Sequence, residues 1–324
     1  MKIAVLDDYQ NVAASYGPWQ ELPASCEVHY FHEHIANPDT LADTLAAFDV
    51  VVAMRERTPF PASVLTRLPR LKLLVTTGMA NAAIDLGAAT AAGITVSGTR
   101  SVATSTAEMT WALLLALARH IPAEEAALHR GQWQISVGNG LAGKTLGVVG
   151  VGRIGSQVVR YGNAFGMNVI AWSQNLTQEA AARAGCVAVS REELFARSHV
   201  VTLHLKLGER SRGIIGREDF ERMRQDAFLI NASRAEIVDE AALIDALNQQ
   251  LIAGAALDVH YGEPLAADHP LRFAPNTLLT PHLGYVTDDG YTTFFTDTVE
   301  DIRAYLNGAP VRMLNEPRQQ PHQR

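Results

Sequence analysis

The sequence predicts an α/β protein with two doubly wound parallel sheets, each covered by helices on both faces. Short β-like runs alternate with helical segments from Lys2 to Val96, and a second alternating block starts at Lys144. Strands that are separated by helices are typical of parallel sheets. The length of 324 residues fits two domains, and a hydrophobic content of 48% is enough to bury two cores.

The first block carries five predicted strands, and each is a short run rich in apolar residues. Helical segments such as residues 41–47 separate the strands, so the connections are long enough for parallel pairing. The predicted strands cover residues 3–6, 28–31, 50–53, 73–76 and 95–97.

A long helix followed by an irregular arm is predicted between the two blocks. The helix is expected over residues 101–120, and its most apolar part is far shorter than the roughly 20 residues that cross a bilayer. The arm, residues 122–141, contains Gly131, Gly138 and Gly140. Glycines at this density favour irregular backbone over a regular element.

The second block contains seven predicted strands, which suffice for a complete doubly wound sheet. Beyond it, a helix is expected over residues 291–307, and the polar residues 315–324 are expected to be a disordered tail. The predicted strands cover residues 146–149, 169–172, 187–189, 200–203, 228–231, 254–258 and 278–280.

The helix after the second block is assigned to the first domain, because the second sheet is already complete and the first lacks a cover. We therefore expect a split domain formed by residues 1–99 and 286–324, with residues 100–285 as the other domain. The two crossings would form a hinge, with a ligand cleft between the domains.

Charge and cysteine content exclude several classes of protein. A formal net charge of −7 argues against nucleic acid or an anionic membrane as the main partner. Cys26 and Cys186 are far apart and fit neither a disulfide framework nor a zinc site, so no metal is predicted. The first residues lack the features of a signal peptide. We expect reduced thiols and a cytoplasmic location.

A glycine-rich turn provides the first indication of a ligand. Gly150, Gly152 and Gly155 follow the apolar residues 146–149 and precede a predicted helix over residues 156–165. In such a turn the first glycine permits the tight bend, the second lets the backbone approach a pyrophosphate, and the third lets the helix pack closely. The N–H groups at the helix start then face the anion.

The strand predicted within residues 167–172 completes the strand, turn and helix context that this motif demands, so we predict a dinucleotide site. Arg153 and Ile154 lie inside the turn and are included in the site. His204 ends the strand 200–203 and is interpreted as a structural or cofactor-lining residue rather than a catalyst.

Three charged or titratable residues follow the last strands of the second block. Arg234, Glu263 and His282 each come shortly after a predicted strand. Ligands of open α/β sheets bind outside the carboxyl ends of the strands. We therefore expect these side chains to meet at one edge, beside the nicotinamide end of a bound dinucleotide.

With the glycine turn, this constellation resembles the D-isomer-specific 2-hydroxyacid dehydrogenases, the family of D-glycerate, D-lactate and phosphoglycerate dehydrogenases. The resemblance spans nearly the whole chain and implies a flavodoxin-like substrate domain and a Rossmann nucleotide-binding domain. The motifs that carry it are residues 73–78, 141–147, 238–243, 258–265, 269–271 and His282.

The resemblance implies a role for each residue of the sheet edge. Arg234 would hold the substrate carboxylate, because a planar guanidinium donates two parallel hydrogen bonds to oxygens. His282 would give a proton to the substrate oxygen in reduction and remove it in oxidation, since imidazole changes its charge near neutral pH. Glu263 would pair with the other ring nitrogen of this histidine and fix the ring.

Further contacts are implied by the same resemblance. Thr77, Gly78 and Met79 lie where the substrate loop of the family offers backbone N–H groups to the carboxylate. Asp258 matches a residue near the nicotinamide carboxamide. Arg55 follows the third strand of the first block, and we expect it to point into the cleft.

The match departs from an NAD site at the end of the second strand. Ser173, Gln174 and Asn175 stand where an acid commonly bonds the ribose hydroxyls. No carboxylate is there to repel a 2′-phosphate and no arginine is there to bind one, so NAD and NADP both stay open. Ser173, Asn175 and the nearby Arg153 favour NADP. Lys206 stands in the loop after His204, where the family often has a proline, and it adds a positive charge close to the cofactor.

The resemblance implies an NAD(P)-dependent enzyme that interconverts a small D-2-hydroxyacid and its 2-oxoacid. It also implies a homodimer formed through the long helix and arm around residues 101–145. Two alternatives remain: a nicotinamide-sensing binding protein like the C-terminal-binding-protein corepressors, and formate or phosphite oxidation on the same scaffold. His260 is a rival catalytic base because it lies close to Asp258 and Glu263.

Overall fold

In the computed structural model, which describes residues 1–316, strands and helices alternate along the chain. All twelve predicted strands agree with the observed ones to within a residue at each end. The strands are β1 Lys2–Val5, β2 Glu27–Tyr30, β3 Val50–Ala53, β4 Leu73–Thr76, β5 Thr95–Gly98, β6 Thr145–Val149, β7 Asn168–Trp172, β8 Val187–Ala188, β9 Val200–Leu203, β10 Phe228–Asn231, β11 Gly254–Leu257 and β12 Thr277–Leu279.

Side-chain caps account for where many of the helices start, because their oxygens accept bonds from N–H groups of the first turn. These caps are Asn37, Asp85, Thr177, Ser190, Asp239 and Thr287. The helices are α1 Ala13–Tyr16, α2 Pro38–Leu45, α3 Ala62–Leu65, α4 Leu86–Ala91, α5 Ala103–Ala118, α6 Ile121–His129, α7 Gly155–Ala164, α8 Gln178–Ala184, α9 Arg191–Arg197, α10 Arg217–Arg222, α11 Glu240–Asn248 and α12 Asp288–Leu306. Short 3₁₀ helices cover Trp19–Glu21, Ala235–Ile237 and Pro270–Arg272.

The chain divides into two compact units. Unit 1 contains Met1–Val102 and the chain from Thr287 onwards, and unit 2 contains Ala103–Val286. Unit 1 has a five-stranded sheet of order β2-β1-β3-β4-β5, and unit 2 has a seven-stranded sheet of order β12-β11-β10-β9-β6-β7-β8. The strands of both sheets pair in parallel. The predicted fold class, two doubly wound parallel sheets, is confirmed.

Unit 1 includes the C-terminal helix. Helix α12 packs against α1 and β4, and the ring of its Phe295 lies 6.0 Å from that of Trp19. After the helix, the chain runs along the edge strand β5, where the Leu314 N–H donates to the Val96 carbonyl at 2.7 Å. Asn315, predicted to begin a disordered tail, instead accepts a bond from the Val96 N–H at 2.8 Å. Residues 317–324 of that predicted tail lie outside the described residues.

The sheet of unit 2 has an apolar layer on each face. Val148 packs in one hydrophobic cluster with α5 and α7, and its neighbour Val149 packs in another with α9, α10 and α11. Ile230 and Leu229 divide between the two faces in the same way. Successive strand residues point to opposite faces, so strands covered on both sides are apolar throughout.

The region after α5 differs from the predicted irregular arm. Residues 121–129 form α6, and only the part after it lacks regular structure. Helix α5, Ala103–Ala118, is two residues shorter at each end than the helix predicted over residues 101–120. Glycine content alone suggested an arm, but all three glycines fall after α6. Among residues 1–316, no helix has the length and apolar composition needed to cross a membrane.

Candidate active site

The glycine turn of unit 2 has the shape of a phosphate cradle. Gly150 is buried with φ +97°, and a Cβ there would lie 2.8 Å from the carbonyl oxygen of His204. A Cβ on Gly155 would clash with the carbonyl oxygen of Gly150. At Gly152 a Cβ would meet no protein atom within 4 Å, so this glycine faces open space. The turn therefore fits a dinucleotide pyrophosphate, whose close approach needs a bare backbone.

His204 forms the floor of this turn. Its N–H donates to the Val149 carbonyl at 2.8 Å, and its Nε2 lies 2.9 Å from Thr202 Oγ1. Burial lowers the pKa of His204 to about 4, because desolvation disfavours the charged ring. The ring is therefore neutral at physiological pH, and a cofactor-lining role for His204 stays a prediction.

The remaining predicted cofactor residues lie around the same turn and at the end of β7. Arg153 is exposed within the turn, whereas Ile154 packs against the hydrophobic cluster beneath it. At the end of β7 the Gln174 side chain donates to the carbonyl of Arg210 at 3.0 Å. Ser173 is partly exposed and Asn175 is exposed.

The catalytic candidates follow three adjacent strands whose ends are level. In the register, Asn231 of β10 pairs with Leu257 of β11, which pairs with Leu279 of β12. Neighbouring strands are about 4.8 Å apart, so the first and third lie within roughly 10 Å. Arg234 follows the first of these strands and His282 the third. This edge of the sheet therefore brings their attachment points together.

Arg234 is held by the polar end of β10. The buried Asn231 side chain donates to the Arg234 carbonyl at 3.0 Å and accepts from the Ser233 N–H at 3.0 Å. The Ser233 hydroxyl donates to the Leu205 carbonyl at 2.7 Å. Sequence reasoning did not identify Asn231 as a positioning residue, although an amide ending an otherwise apolar strand was the available signal.

His282 and Glu263 form a hydrogen-bonded pair. Nδ1 of His282 lies 2.6 Å from Oε2 of Glu263. The second carboxylate oxygen, Oε1, accepts from the backbone N–H of His260 at 3.1 Å. Burial alone would raise the pKa of Glu263, but the hydrogen bond and charge of His282 outweigh it and hold that pKa below its usual value. The ring of Tyr285 packs edge-on against the imidazole, 5.1 Å between centroids.

Asp258 supports the turn that carries His282. Its side chain is fully buried. Oδ1 accepts from the Thr280 hydroxyl at 2.6 Å and the Leu283 N–H at 2.7 Å, and Oδ2 accepts from the Gly284 N–H at 2.7 Å. Burial raises the pKa of Asp258 despite these bonds. A contact between Asp258 and the nicotinamide carboxamide stays a prediction.

The rival base, His260, is engaged elsewhere. Its ring is 9% exposed, and its Nε2 lies 2.9 Å from the carbonyl oxygen of Thr280. That contact requires Nε2 to carry the proton, because a carbonyl oxygen only accepts hydrogen bonds. His282 is therefore the better placed of the two imidazoles.

The predicted substrate turn in unit 1 uses part of its own backbone. The Thr77 N–H donates to the Ala53 carbonyl at 3.1 Å, and the Gly78 N–H donates to Thr99 Oγ1 at 2.8 Å. Arg55 donates from Nη1 to the Thr77 carbonyl at 3.1 Å. Gly78 has φ +97°, and a Cβ on it would clash with this guanidinium.

The exposed half of the turn is the part able to offer donors to a ligand. Met79 and Ala80 are exposed, and no residue within 1–316 accepts a hydrogen bond from their N–H groups. Among residues 1–316, no group of three or more histidine, cysteine, aspartate or glutamate side chains could hold a metal ion.

Comparison with known proteins identifies the family. Residues 111–284 match the model of the D-isomer specific 2-hydroxyacid dehydrogenase, NAD binding domain. The chain is 36% identical to glyoxylate reductase of Aeropyrum pernix over 262 residues, which are 78% of each protein. It is 38% identical to D-3-phosphoglycerate dehydrogenase of Methanocaldococcus jannaschii over 274 residues, 83% of this chain and 52% of that one. The chain thus spans about half the length of the latter relative.

A solved structure extends the likeness to both units. An oxidoreductase from Ralstonia solanacearum superposes with a TM-score of 0.94 at 36% identity, covering 99% of this chain and 98% of that one. The likeness covers the glycine turn and the strand ends described above. The chain belongs to the D-isomer-specific 2-hydroxyacid dehydrogenase family.

Proposed function

We propose that this protein is an NAD(P)-dependent oxidoreductase that interconverts a small D-2-hydroxyacid and its 2-oxoacid. The observation that carries the proposal is the His282–Glu263 pair at the sheet edge that Arg234 also occupies. The glycine turn follows β6, which lies next to β9 in the sheet. The chain adds strands on one side of β6 as far as β8 and then continues on the other side from β9, so the strand order reverses between β6 and β9. Dinucleotides bind at such a switch point.

Arg234 is the proposed anchor for the substrate carboxylate. A guanidinium has five N–H donors in a fixed fork, a geometry that matches the two oxygens of a carboxylate. Nη1 of Arg234 donates to the Ser233 carbonyl at 2.7 Å. Two parallel hydrogen bonds to the carboxylate would orient the adjacent C2 carbon. A dinucleotide held by the glycine turn would supply the hydride to that carbon in reduction and accept it in oxidation.

His282 is the proposed acid and base. Its Nδ1 is committed to Glu263, whereas Nε2 bonds to no residue within 1–316 and can face a ligand. In reduction Nε2–H would donate its proton to the substrate oxygen as that oxygen gains negative charge. In oxidation the neutral nitrogen would take the proton back. The ionised Glu263 would stabilise the imidazolium and fix the ring.

Unit 1 carries candidate substrate contacts of its own. We propose that the N–H groups of Met79 and Ala80, with the guanidinium of Arg55, contact the carboxylate end of the substrate. These donors fit because the corresponding groups of Thr77 and Gly78 are already bonded within the fold.

We further propose that NADP is preferred over NAD, since Ser173 and Asn175 provide hydrogen-bond donors and no carboxylate stands in the segment 173–175 directly after β7.

We also propose a homodimer formed around residues 101–145, where Trp133 is 77% and Val137 92% exposed. Such apolar exposure is typical of interfaces. The free thiols of Cys26 and Cys186 fit the cytoplasm.

The proposed activity is tested with purified protein, NADH or NADPH, and glyoxylate, hydroxypyruvate and pyruvate in turn. We expect the absorbance of the reduced nicotinamide to fall with at least one oxoacid. In the reverse direction, the D enantiomer of the corresponding hydroxyacid, and not the L enantiomer, should reduce the oxidised cofactor. Arg234→Ala and His282→Ala should each lower kcat/KM by about two to four orders of magnitude without unfolding the protein. If none of the oxoacids is reduced, the alternative of a nicotinamide-sensing binding protein is favoured. Oxidation of formate or phosphite without activity on any oxoacid would favour the formate or phosphite alternative.

A further inference from the structure

We infer that Arg210, on the loop of residues 206–212 after β9, is the residue that binds the 2′-phosphate of NADP and selects it over NAD. The inference rests on the proposed dinucleotide site and deepens it. It supplies the cation that the segment directly after β7 lacks, from a part of the chain remote in sequence.

The loop lies against the end of β7. The Gln174 side chain donates to the backbone carbonyl of Arg210 at 3.0 Å. Gln174 stands in the segment that faces the adenosine ribose in a doubly wound dinucleotide site. The backbone of Arg210 is therefore within one side chain of the position where a 2′-phosphate would sit.

The two residues before this loop contact the glycine turn. A Cβ on Gly150 would lie 2.9 Å from the carbonyl carbon of His204 and 3.0 Å from Cδ2 of Leu205. The chain thus passes beneath the pyrophosphate cradle before it reaches residue 206. One continuous segment connects the cradle to the ribose end of the site.

The loop has a fixed backbone. The buried Ser211 hydroxyl donates to the Lys206 carbonyl at 2.7 Å and accepts from the Gly208 N–H at 2.9 Å. The Arg212 N–H donates to the Gly208 carbonyl at 3.0 Å. A rigid turn loses less conformational freedom when its side chains bind an ion.

The loop is positively charged at its surface. Lys206, Arg210 and Arg212 are exposed, against one acid, Glu209. Within residues 1–316 none of the three cationic side chains makes an ion pair or a hydrogen bond. Their charges are therefore not neutralised inside the protein, and a phosphate would give them their partner.

Arg191, another arginine near β7, is already engaged within the fold. Arg191 pairs with Asp219 at 2.6 Å, bonds the Ile214 carbonyl, and stacks over Trp172 with its guanidinium carbon 5.7 Å from the ring centre. It holds the fold rather than a ligand. Arg210 is the loop cation whose backbone contacts the ribose segment, which is why we assign the role to it.

The test measures binding of NADP and NAD to the wild-type protein and to Arg210→Gln by isothermal titration calorimetry. Adenosine 2′,5′-bisphosphate and 5′-AMP serve as probes that carry no nicotinamide and allow no turnover. We expect Arg210→Gln to raise the Kd of NADP and of the bisphosphate about tenfold, the loss of one charge-assisted hydrogen bond at an exposed site. The Kd values of NAD and 5′-AMP should stay within about twofold.

Arg217→Gln is the matched control, since Arg217 is an exposed arginine of the same unit that pairs with Glu221. It should leave all four Kd values unchanged. Equal weakening of NADP and NAD by Arg210→Gln, or no effect on either, would overturn the inference. Wild-type protein that binds NAD as tightly as NADP would also overturn it, yet oxoacid reduction with NADH would leave the proposed function standing. Arg210→Lys, expected to keep most of the preference, separates loss of charge from disturbance of the loop.

Discussion

Nδ1 of His282 and Oε2 of Glu263 are 2.6 Å apart, and the second oxygen of the glutamate is held by the His260 N–H. Both ends of the carboxylate are thus fixed before any substrate binds. The imidazole is left with one nitrogen, Nε2, for chemistry. This pre-organisation is what a proton-transfer residue requires.

Glu263→Gln should change the pH profile as well as the rate. The amide cannot balance the positive charge of an imidazolium, so the protonated ring becomes harder to form. We expect kcat for oxoacid reduction to fall about 100-fold, within the range for perturbed acid–base catalysis, and the alkaline limb of the profile to move to lower pH. Steady-state kinetics across the pH range provide the measurement.

Glu240→Gln is a suitable control, because Glu240 also pairs with a histidine, Nε2 of His269 at 2.7 Å. It removes the same type of ion pair at the start of α11 rather than at the strand ends. Its profile should match that of the wild-type protein. If the two variants behave alike, the Glu263 carboxylate has no special part in proton transfer.

The fold and the strand ends that carry the candidate site were predictable from local patterns. Alternating apolar runs and helical spacing place all twelve described strands, because burial on both faces requires continuous apolar residues. Arg234, Glu263 and His282 follow strands, and parallel strands present their carboxyl ends at one edge. Their common location therefore needed no knowledge of side-chain contacts.

Contacts between distant residues were not predictable in this way. The Gly78 N–H bonds to Thr99, and Gln174 bonds to Arg210, 36 residues further on. No periodicity encodes such pairs, since they depend on how loops fold over the sheet. For the same reason the three bonds to Asp258 were missed, although its position at a strand end was not.

Asp258→Asn should loosen the turn that carries His282. The carboxylate accepts from Thr280, Leu283 and Gly284, whereas an amide nitrogen cannot accept the bond it replaces and leaves a buried N–H without a partner. We expect the free energy of unfolding to fall by about 1–3 kcal/mol, as measured by urea denaturation.

The expected kinetic signature of this substitution is a fall in kcat with little change in the Kd of the dinucleotide. Thr280→Val, which removes a single donor, should produce a smaller loss of stability in the same direction. Unchanged stability in both variants would show that the buried carboxylate does not hold the turn.

Two glycine substitutions in the phosphate cradle should separate folding from binding. A methyl group on Gly152 meets no protein atom within 4 Å, so Gly152→Ala should alter the free energy of unfolding by less than about 0.5 kcal/mol. The same methyl would occupy the space that a pyrophosphate needs, and the Kd of NADPH should rise at least about tenfold. Fluorescence titration of NADPH measures this effect.

Gly155→Ala is the counterpart, because its methyl would clash with the backbone of Gly150. It should weaken binding and also lower stability by about 1–3 kcal/mol, the usual cost of overpacking. A Gly152→Ala protein that binds NADPH normally would mean that the dinucleotide does not approach this turn.

A buried carboxylate in unit 1 should make stability depend on pH. Asp301 is 1% exposed, and burial raises its pKa to about 7, partly opposed by Arg312 and reinforced by Asp297 and Glu300. Between the ordinary pKa of 3.8 and about 7, the folded protein keeps a proton that the unfolded chain has released. The Asp301 contribution to stability therefore falls as pH rises, by at most about 1.4 kcal/mol per pH unit.

His204 acts in the opposite direction. Its pKa is lowered from 6.5 to about 4 in the folded protein, so its contribution is present above pH 6.5 and is lost as pH falls towards 4. The two contributions overlap in pH, so the stability curve of the wild-type protein alone cannot identify either.

Asp301→Asn isolates the Asp301 contribution, because the amide oxygen can still accept from Arg312, whose Nη2 lies 2.9 Å from Oδ1. We expect the free energy of unfolding of the variant to rise relative to wild type as the pH increases from 3.8 to about 7, the window set by the Asp301 shift. Parallel curves in urea denaturation across that range would mean that Asp301 is ionised in the folded protein throughout, paired with Arg312 strongly enough to offset its burial.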